Sequence, residues 1–175
     1  VVIIGMGIMG YFHLKLALMR GARVIVSEMD PTRKQKALDS GAHVVIDPGT
    51  QDLCEEVKKL TDGLGADVVV NTIPSAAVWN SAIQSLAPYG RLIAYSSQDS
   101  KTPIGVDFGM MHSREIEFIG TLNPTIEDND IATKLITYHL IDMEEVIDAR
   151  FPFEQGKEAF AAALKPGAYR VIIQY

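Results

Sequence analysis

Three glycines with the spacing Gly5-x-Gly7-x-x-Gly10 directly follow an apolar run, residues 1–4. This spacing suits a backbone that approaches a diphosphate. The first glycine allows a tight turn, the second leaves room for the phosphates, and the third lets a helix pack close to the sheet. A helix-compatible stretch, residues 11–19, comes next. The start of such a helix presents free N–H groups and a partial positive charge to an anion.

An acidic residue stands at a second position that suits the same chemistry. Glu28 ends the apolar run 23–27, where a carboxylate can accept hydrogen bonds from an adenosine ribose. The simpler alternative is a plain strand–helix turn followed by a solvated acid. Because the preceding strand, the helix, the second strand and the terminal acid coincide, we predict that this stretch binds a dinucleotide.

The charge of Glu28 also bears on which dinucleotide binds. A 2′-phosphate beside this carboxylate would meet like-charge repulsion in a partly dry site. Ser27 and Arg33 could help to bind a phosphate, but Glu28 stands between them. The sequence therefore predicts NAD rather than NADP as the cofactor.

The glycine motif belongs to a longer alternation of short apolar runs with amphipathic segments. The runs are residues 1–4, 24–27, 44–47, 67–72, 91–96 and 116–122. They are nearly continuous in Val, Ile and Leu, as is typical of strands that helices bury on both faces. This pattern predicts an α/β protein, a three-layer Rossmann fold with a doubly wound, six-stranded parallel sheet in the order 3-2-1-4-5-6.

Turn residues mark the connections between these strands. Helices are predicted at residues 11–19, 31–40, 52–61 and 76–86. Asp30 and Pro31 cap the second of these helices and Gly41 stops it. Residues 87–90 are predicted to turn into the fifth strand. Residues 97–109, rich in Ser, Asp, Gly and Pro, are predicted to form a long irregular loop.

Beyond Gly120 the alternation stops. A helix is predicted at about residues 123–140, followed by a strand, a helix and a strand at residues 147–151, 154–164 and 169–175. We therefore divide the chain into a dinucleotide-binding core, residues 1–122, and a C-terminal part, residues 123–175, made of a helix and a strand–helix–strand appendage.

The composition narrows the class of protein. Of the 175 residues 47% are apolar and the net charge is −6, which argues against disorder and against nucleic acid or an anionic membrane as a partner. No apolar run approaches the length that spans a bilayer. The one cysteine, Cys54, excludes an internal disulfide and fits a reducing cytosol. The sequence thus predicts a cytoplasmic protein.

Short segments along the whole chain match one known family in collinear order. They are Gly-Met-Gly-Ile-Met-Gly (5–10), Ala-Arg-Val-Ile-Val-Ser-Glu (22–28), Arg33, Gly-Ala-His-Val-Val-Ile-Asp (41–47), Leu-Thr-Asp-Gly-Leu-Gly-Ala-Asp-Val-Val-Val (60–70), Pro-Tyr-Gly-Arg-Leu-Ile (88–93), Phe-Pro-Phe-Glu-Gln-Gly-Lys-Glu-Ala-Phe (151–160) and Arg-Val-Ile-Ile (170–173). On these segments the chain resembles the cofactor-binding half of the medium-chain, zinc-type alcohol dehydrogenases.

This resemblance implies an NAD(P)-dependent oxidation of an alcohol or polyol, in which zinc polarises the alcohol oxygen and hydride passes to nicotinamide. It also implies that the zinc ligands and the substrate pocket come mostly from an N-terminal catalytic domain ahead of the glycine motif. Because Val1 already lies in the first strand, we expect a fragment that lacks this domain. We expect the fragment to bind NAD(H) without catalysis. In that family an edge strand near the position of residues 102–106 pairs across a twofold axis, so the resemblance also implies a homodimer.

The resemblance also implies which residues contact the cofactor, and it implies no catalytic residue or metal ligand within this chain. The expected contacts are Gly5, Gly7, Ile8, Met9 and Gly10 (the pyrophosphate loop), Glu28 (ribose), Arg33 (adenosine), Thr72 and Ile73 (the topological switch point), Tyr95, Ser96 and Ser97 (the nicotinamide half), Leu122 and Asn123 (the carboxamide), and Arg170 (the phosphates). For Arg170, a solvated charge at a strand end is an open alternative.

Two other functions remain open from the sequence. The chain could be a stand-alone regulatory module that senses NAD(H), which the sequence upstream of the glycine motif would distinguish from an enzyme. It could also bind S-adenosylmethionine as methyltransferases do, since these also place an acid after the second strand. The stabilisation of the chain by NADH, compared with S-adenosylmethionine, would decide that alternative.

Overall fold

The computed structural model describes residues 1–97 and 103–175, which form two compact units, Val1–Leu122 and Asn123–Tyr175. The first unit contains a six-stranded parallel sheet with helices on both faces, and the predicted Rossmann-like fold is confirmed. The second unit contains a separate two-stranded sheet. Within the described residues, no helix combines the length and the apolar character needed to cross a bilayer.

The sheet of the first unit has the predicted strand order, and every neighbouring pair is parallel. Its strands are β1 (Val2–Ile4), β2 (Ile25–Ser27), β3 (Val44–Ile46), β4 (Ala66–Asn71), β5 (Leu86–Ala94) and β6 (Glu117–Gly120), arranged β3-β2-β1-β4-β5-β6. At the carboxyl end of β1, Ile4 lies between Ser27 of β2 and Asn71 of β4. The chain order reverses between β1 and β4, so this edge contains the topological switch point where such sheets bind ligands.

Among the described residues, the helices that connect these strands are α1 (Ile8–Met19), α2 (Pro31–Asp39), α3 (Leu53–Leu60), α4 (Ala76–Gln84) and α5 (Phe108–Arg114). The side chains of Asp30, Asp52 and Asp107 cap α2, α3 and α5 by accepting a bond from a first-turn amide. A buried core lies between the sheet and the helices α3 and α4. In it, Val2, Val69 and Leu92 pack with Trp79. This packing fixes the carboxyl ends of β1, β2 and β4 side by side.

The predicted turn at residues 87–90 is wrong as a boundary, because β5 begins before it at Leu86. Ala66 of β4 pairs with Leu86, and the pairing resumes with Val68 opposite Arg91. The intervening residues form a bulge in which Tyr89 has a φ of 63°. The turn-forming residues therefore lie inside β5, where they interrupt its pairing with β4 only locally.

The predicted long loop at residues 97–109 is also corrected at its end. Helix α5 begins at Phe108, where the Asp107 carboxylate accepts a bond of 2.9 Å from the Met110 amide. Residues 103–107 belong to no strand or helix of the single chain, and the edge strand expected to pair with a second copy stays a prediction. Residues 98–102, which include Thr102, lie outside the described part of the chain.

The second unit consists of α6 (Ile126–Thr137), β7 (Ile147–Pro152), α7 (Gly156–Ala163) and β8 (Arg170–Gln174). Thr125 and Asp128 form a reciprocal capping box that starts α6. The helix is shorter than predicted, and His139, just beyond its end, has a φ of 54°. Strands β7 and β8 are parallel and flank α7 in sequence, so the predicted strand–helix–strand appendage is confirmed.

Candidate functional site

The loop between β1 and α1 uses its three glycines in three different ways. Gly5 has a φ of +92°, which turns the chain sharply out of β1. A Cβ at Gly10 would lie 1.9 Å from the Gly5 carbonyl oxygen, so α1 approaches the end of β1 as closely as a glycine allows. A Cβ at Gly7 would meet no atom within 4 Å. The space in front of Gly7 is therefore open, which suits a ligand that contacts the backbone.

The start of α1 has amides that no side chain caps. The first bond of the helix runs from the Tyr11 amide to the Gly7 carbonyl oxygen, at 2.9 Å. The amides of Ile8, Met9 and Gly10 precede that bond, and neither a capping side chain nor a first-turn acid faces them. Amides in this position carry the positive end of the helix dipole and bind anions such as phosphate.

Glu28 accepts three hydrogen bonds from main-chain amides. Its Oε2 accepts a bond of 2.8 Å from Met6, within the glycine loop, and its Oε1 accepts bonds of 2.8 and 2.9 Å from Met29 and Asp30. A carboxylate has about four acceptor positions, so roughly one remains for a ligand. The side chain therefore holds the glycine loop against the end of β2 and keeps a negative charge beside it.

A cleft of about 450 Å³ opens beside Glu28 at the carboxyl edge of the sheet. It is formed by the ends of β1 and β2, by the loop after β3, and by the β4–α4 connection. Residues that line it include Ser27, Glu28, Met29, Pro48, Ile73 and Ser75. The sequence predicted Glu28 and Ile73 as contacts but missed Met29, Pro48 and Ser75. Their position directly after strands could have identified them, because ligands bind at this edge of such sheets.

An ion pair organises the loop that carries Pro48. Lys34 of α2 lies 2.6 Å from Asp47, and the other carboxylate oxygen of Asp47 accepts a bond of 2.9 Å from the Gly49 amide. These two hydrogen bonds lower the pKa of Asp47 below its ordinary value. The loop that forms one wall of the cleft is thereby tied to α2.

The end of β4 is bonded to the end of β1. The Thr72 hydroxyl and amide donate bonds of 2.8 and 3.1 Å to the Ile4 carbonyl oxygen, and the Ile73 amide donates to Asn71 Oδ1 at 2.9 Å. Thr72 therefore joins two strands, whereas Ile73 lines the cleft. Asn71, which the sequence did not predict, is fully buried. Its Nδ2 is among the described buried polar atoms that have no hydrogen-bond partner.

The predicted residues after β5 lie beside Asn71. The Ser96 amide donates to the Asn71 carbonyl oxygen at 3.2 Å, while the Ser96 hydroxyl is a second buried polar atom without a partner in the described chain. The Tyr95 ring lies 4.8 Å from the ring of His13 on α1. Ser97 is exposed. Unpaired polar atoms of this kind are costly in a protein interior and are often satisfied by a ligand or water.

The remaining predicted contacts are spread between the two units. Arg33 lies on α2, where its amide donates to the Asp30 cap at 2.9 Å, and exposed Leu122 ends the first unit. Asn123 and Arg170 belong to the second unit and are both exposed. In the part of the chain that the structure describes, His, Cys, Asp and Glu side chains form no group of three that could hold a metal ion.

Comparison with known sequences finds relatives along most of the chain. D-arabitol-phosphate dehydrogenase of Enterococcus avium is 28% identical over 99% of this chain and 50% of its own length. (R,R)-butanediol dehydrogenase of Neisseria gonorrhoeae is 29% identical over 86% of this chain and 42% of its own length. The chain thus spans about half the length of the curated relatives it matches.

Comparison with solved structures finds the same fold. A protein described as a zinc-binding dehydrogenase from Sinorhizobium meliloti, solved with NADP, has a TM-score of 0.88 at 21% identity, over 99% of this chain and 52% of its own. A structure from E. coli, named short chain alcohol dehydrogenase (rspB) and solved with NADH, has a TM-score of 0.87 at 18% identity, over 99% of this chain and 51% of its own.

The family model of zinc-binding dehydrogenases matches residues 8–137. Because the matched residues make up most of this chain, the chain belongs to the zinc-binding dehydrogenase family.

Proposed function

We propose that this chain is the NAD(H)-binding domain of a zinc-dependent dehydrogenase that oxidises an alcohol or polyol. The observation that carries the proposal is the open space at Gly7, next to the uncapped start of α1. A pyrophosphate in that space would accept bonds from the amides of Ile8, Met9 and Gly10. Family membership and the names of the relatives support the same activity.

The rest of the dinucleotide fits the surrounding residues. The cleft of about 450 Å³ has the size of a small-ligand pocket and would take the adenosine, with Pro48 and Met29 against the base. Glu28 has one acceptor position left for a ribose hydroxyl. When bound, the nicotinamide supplies the hydride acceptor. The task of this chain is therefore to bind and orient the cofactor.

NAD is the cofactor that the charge of Glu28 favours. Three amides hold this carboxylate in place, so it cannot easily swing away from a 2′-phosphate. We expect NADH to bind at least roughly tenfold more tightly than NADPH, because an unscreened like-charge contact costs more than 1 kcal/mol. Fluorescence titration with both nucleotides measures this ratio. Tighter binding of NADPH would refute the assignment.

The zinc and the substrate would belong to a partner domain. The relatives are about twice as long as this chain, which supports an N-terminal catalytic domain in the full-length enzyme. We propose that the chain alone binds NAD(H) and is inactive without that domain. The homodimer and the cytoplasmic location stay predictions from the sequence.

The exchange Gly7→Ala tests the proposed function. The new methyl group would meet no protein atom, and the φ of −68° at this position suits alanine. We expect the free energy of unfolding to fall by no more than about 1 kcal/mol, the cost of a poorer helix cap. The methyl group would, however, occupy the space of the pyrophosphate. NADH affinity should therefore fall at least roughly tenfold, as a lost backbone contact to a charged group implies.

Gly156→Ala is the matched control. Gly156 also stands at the start of a helix, and a Cβ there would meet no atom within 4 Å. NADH affinity should stay unchanged in this variant. An unchanged affinity in Gly7→Ala would remove the main support for a dinucleotide site, and stabilisation by S-adenosylmethionine but not by NADH would favour the methyltransferase-like alternative.

A further inference from the structure

His13 and Tyr95 form an aromatic contact that the cofactor site described above does not use. Their ring centroids lie 4.8 Å apart and the ring planes meet at 83°, which is an edge-to-face arrangement. His13 lies one turn into α1, and Tyr95 directly follows β5. The contact therefore joins the helix that begins at the glycine loop to the carboxyl end of β5.

The imidazole acts in this contact as a packing group. His13 Nε2 is buried and has no hydrogen-bond partner in the described part of the chain. Burial also lowers the pKa of His13, so the ring is uncharged at neutral pH. Tyr95, whose ring the imidazole contacts, is half-buried, so solvent can still reach it.

The direction of the dinucleotide places Tyr95 near its second half. Glu28 follows β2, on one side of β1, and the proposed function puts the adenosine in the cleft beside it, which extends only as far as the β4–α4 connection. A dinucleotide that crosses the start of α1 must continue on the other side of β1, over β4 and β5. Tyr95 directly follows β5, so its ring would border the nicotinamide half of a dinucleotide bound in this direction.

We propose that His13 is a positioning residue for the nicotinamide. This inference rests on the proposed function and deepens it. The imidazole holds the Tyr95 ring at one angle, and the held ring forms a flat wall against which the nicotinamide packs. Because Tyr95 is ordered before the ligand arrives, binding does not have to restrict its rotation.

Variants of the 175-residue chain test this inference with two nucleotides, NADH and ADP-ribose. ADP-ribose has the adenosine and pyrophosphate of NADH but no nicotinamide. We expect His13→Ala to lower the affinity for NADH roughly fivefold, which corresponds to the interaction energy of one aromatic pair. The affinity for ADP-ribose should change less than about twofold. His13→Phe keeps an aromatic edge and should restore NADH affinity. The emission of bound NADH should shift in His13→Ala and return in His13→Phe.

Phe12→Leu is the matched control, since Phe12 directly precedes His13 in α1 and makes an edge-to-face contact with Tyr11, with the ring centroids 5.4 Å apart. It should leave the ratio of the two affinities unchanged. In a double-mutant cycle, the free energy of NADH binding lost on combining His13→Ala with Tyr95→Ala should be smaller than the sum of the losses in the two single variants.

Two outcomes would overturn the inference alone. One is equal weakening of NADH and ADP-ribose in His13→Ala, which indicates a purely structural role. The other is additive effects in the double-mutant cycle. If the unchanged chain bound neither nucleotide, the proposed function would fail and the inference with it, so the ADP-ribose measurement separates the two.

Discussion

At the level of single residues, Glu28 combines two roles. Its bond to the Met6 amide holds the glycine loop, and its bonds to Met29 and Asp30 shape the chain after β2. The charge that selects the ribose is thus also part of the scaffold that presents the phosphate site. Removing the side chain should therefore affect stability as well as affinity.

We expect Glu28→Ala to lower the free energy of unfolding by about 1–3 kcal/mol, because the amide of buried Met6 loses a charged acceptor. NADH affinity should fall too, and NADPH should not become the preferred ligand, since the glycine loop loses its support. Urea denaturation and nucleotide titration measure these effects. Glu55→Ala, at an exposed acid on α3, is the control. Stability equal to that of the unchanged chain would contradict the scaffold role.

His13 should make the stability of the chain depend on pH. Burial lowers the pKa of His13, so the unfolded chain binds more protons than the folded chain between that lowered value and the ordinary pKa of about 6.5. The contribution of neutral His13 to stability is therefore complete above about pH 6.5 and is lost as the pH falls toward the lowered pKa.

The exchange His13→Phe should flatten this part of the pH profile. The measurement is the free energy of unfolding at several pH values below about 6.5, where the titration occurs. Exposed His112 on α5 supplies the control variant His112→Asn. An identical slope in His13→Phe and the unchanged chain would show that other groups cause the pH dependence.

At the level of secondary-structure elements, the contact between β1 and α1 depends on Gly10. A Cβ there would lie 1.9 Å from the Gly5 carbonyl oxygen and 2.9 Å from the Gly5 carbonyl carbon, both of which belong to backbone that cannot rotate away. We expect Gly10→Ala to cost at least about 3 kcal/mol of stability, because α1 must move off the sheet.

Gly7→Ala is the comparison for Gly10→Ala, since both change a glycine of the same loop. Only the variant at position 10 should lower the midpoint of urea unfolding strongly, whereas both should bind NADH poorly. A Gly10→Ala chain as stable as Gly7→Ala would show that the close approach of helix and strand is not needed.

Most elements could be predicted from the sequence because their signals are local. Apolar runs gave all six strands of the first unit, and Asp30 with Pro31 gave the start of α2. Helix α5 has only seven residues and contains Gly109, so it has too few turns to show a helical period. The bulge in β5 was predicted as a turn because it contains the same residue types.

The candidate site was less predictable because its parts meet only through the topology. The glycine loop has a fixed spacing along the chain, so Gly5, Gly7 and Gly10 could be found. Pro48 and Ser75 belong to different loops and meet because β3-β2-β1-β4 places the strand ends in one row. His13 and Tyr95 lie on a helix and a strand end that are far apart in sequence, and no spacing rule relates them.

At the level of the whole molecule, the division into two units allows a direct test of where the cofactor binds. Every residue that lines the cleft lies in Val1–Leu122, and so does the whole glycine loop. Among the predicted contacts, Asn123 and Arg170 belong to the second unit. The first unit also has a six-stranded sheet with a buried core of its own, as an independently folding domain requires.

A chain that ends at Leu122 should therefore fold cooperatively and bind ADP-ribose within about twofold of the 175-residue chain, because it keeps the whole cleft and the whole glycine loop. Calorimetry measures the affinity and urea denaturation measures the folding. Arg170→Ala in the 175-residue chain is the companion variant and should likewise leave ADP-ribose affinity unchanged. A folded shorter chain that bound at least roughly tenfold more weakly, together with weak binding by Arg170→Ala, would assign the phosphate contact to Arg170 and make the second unit part of the site.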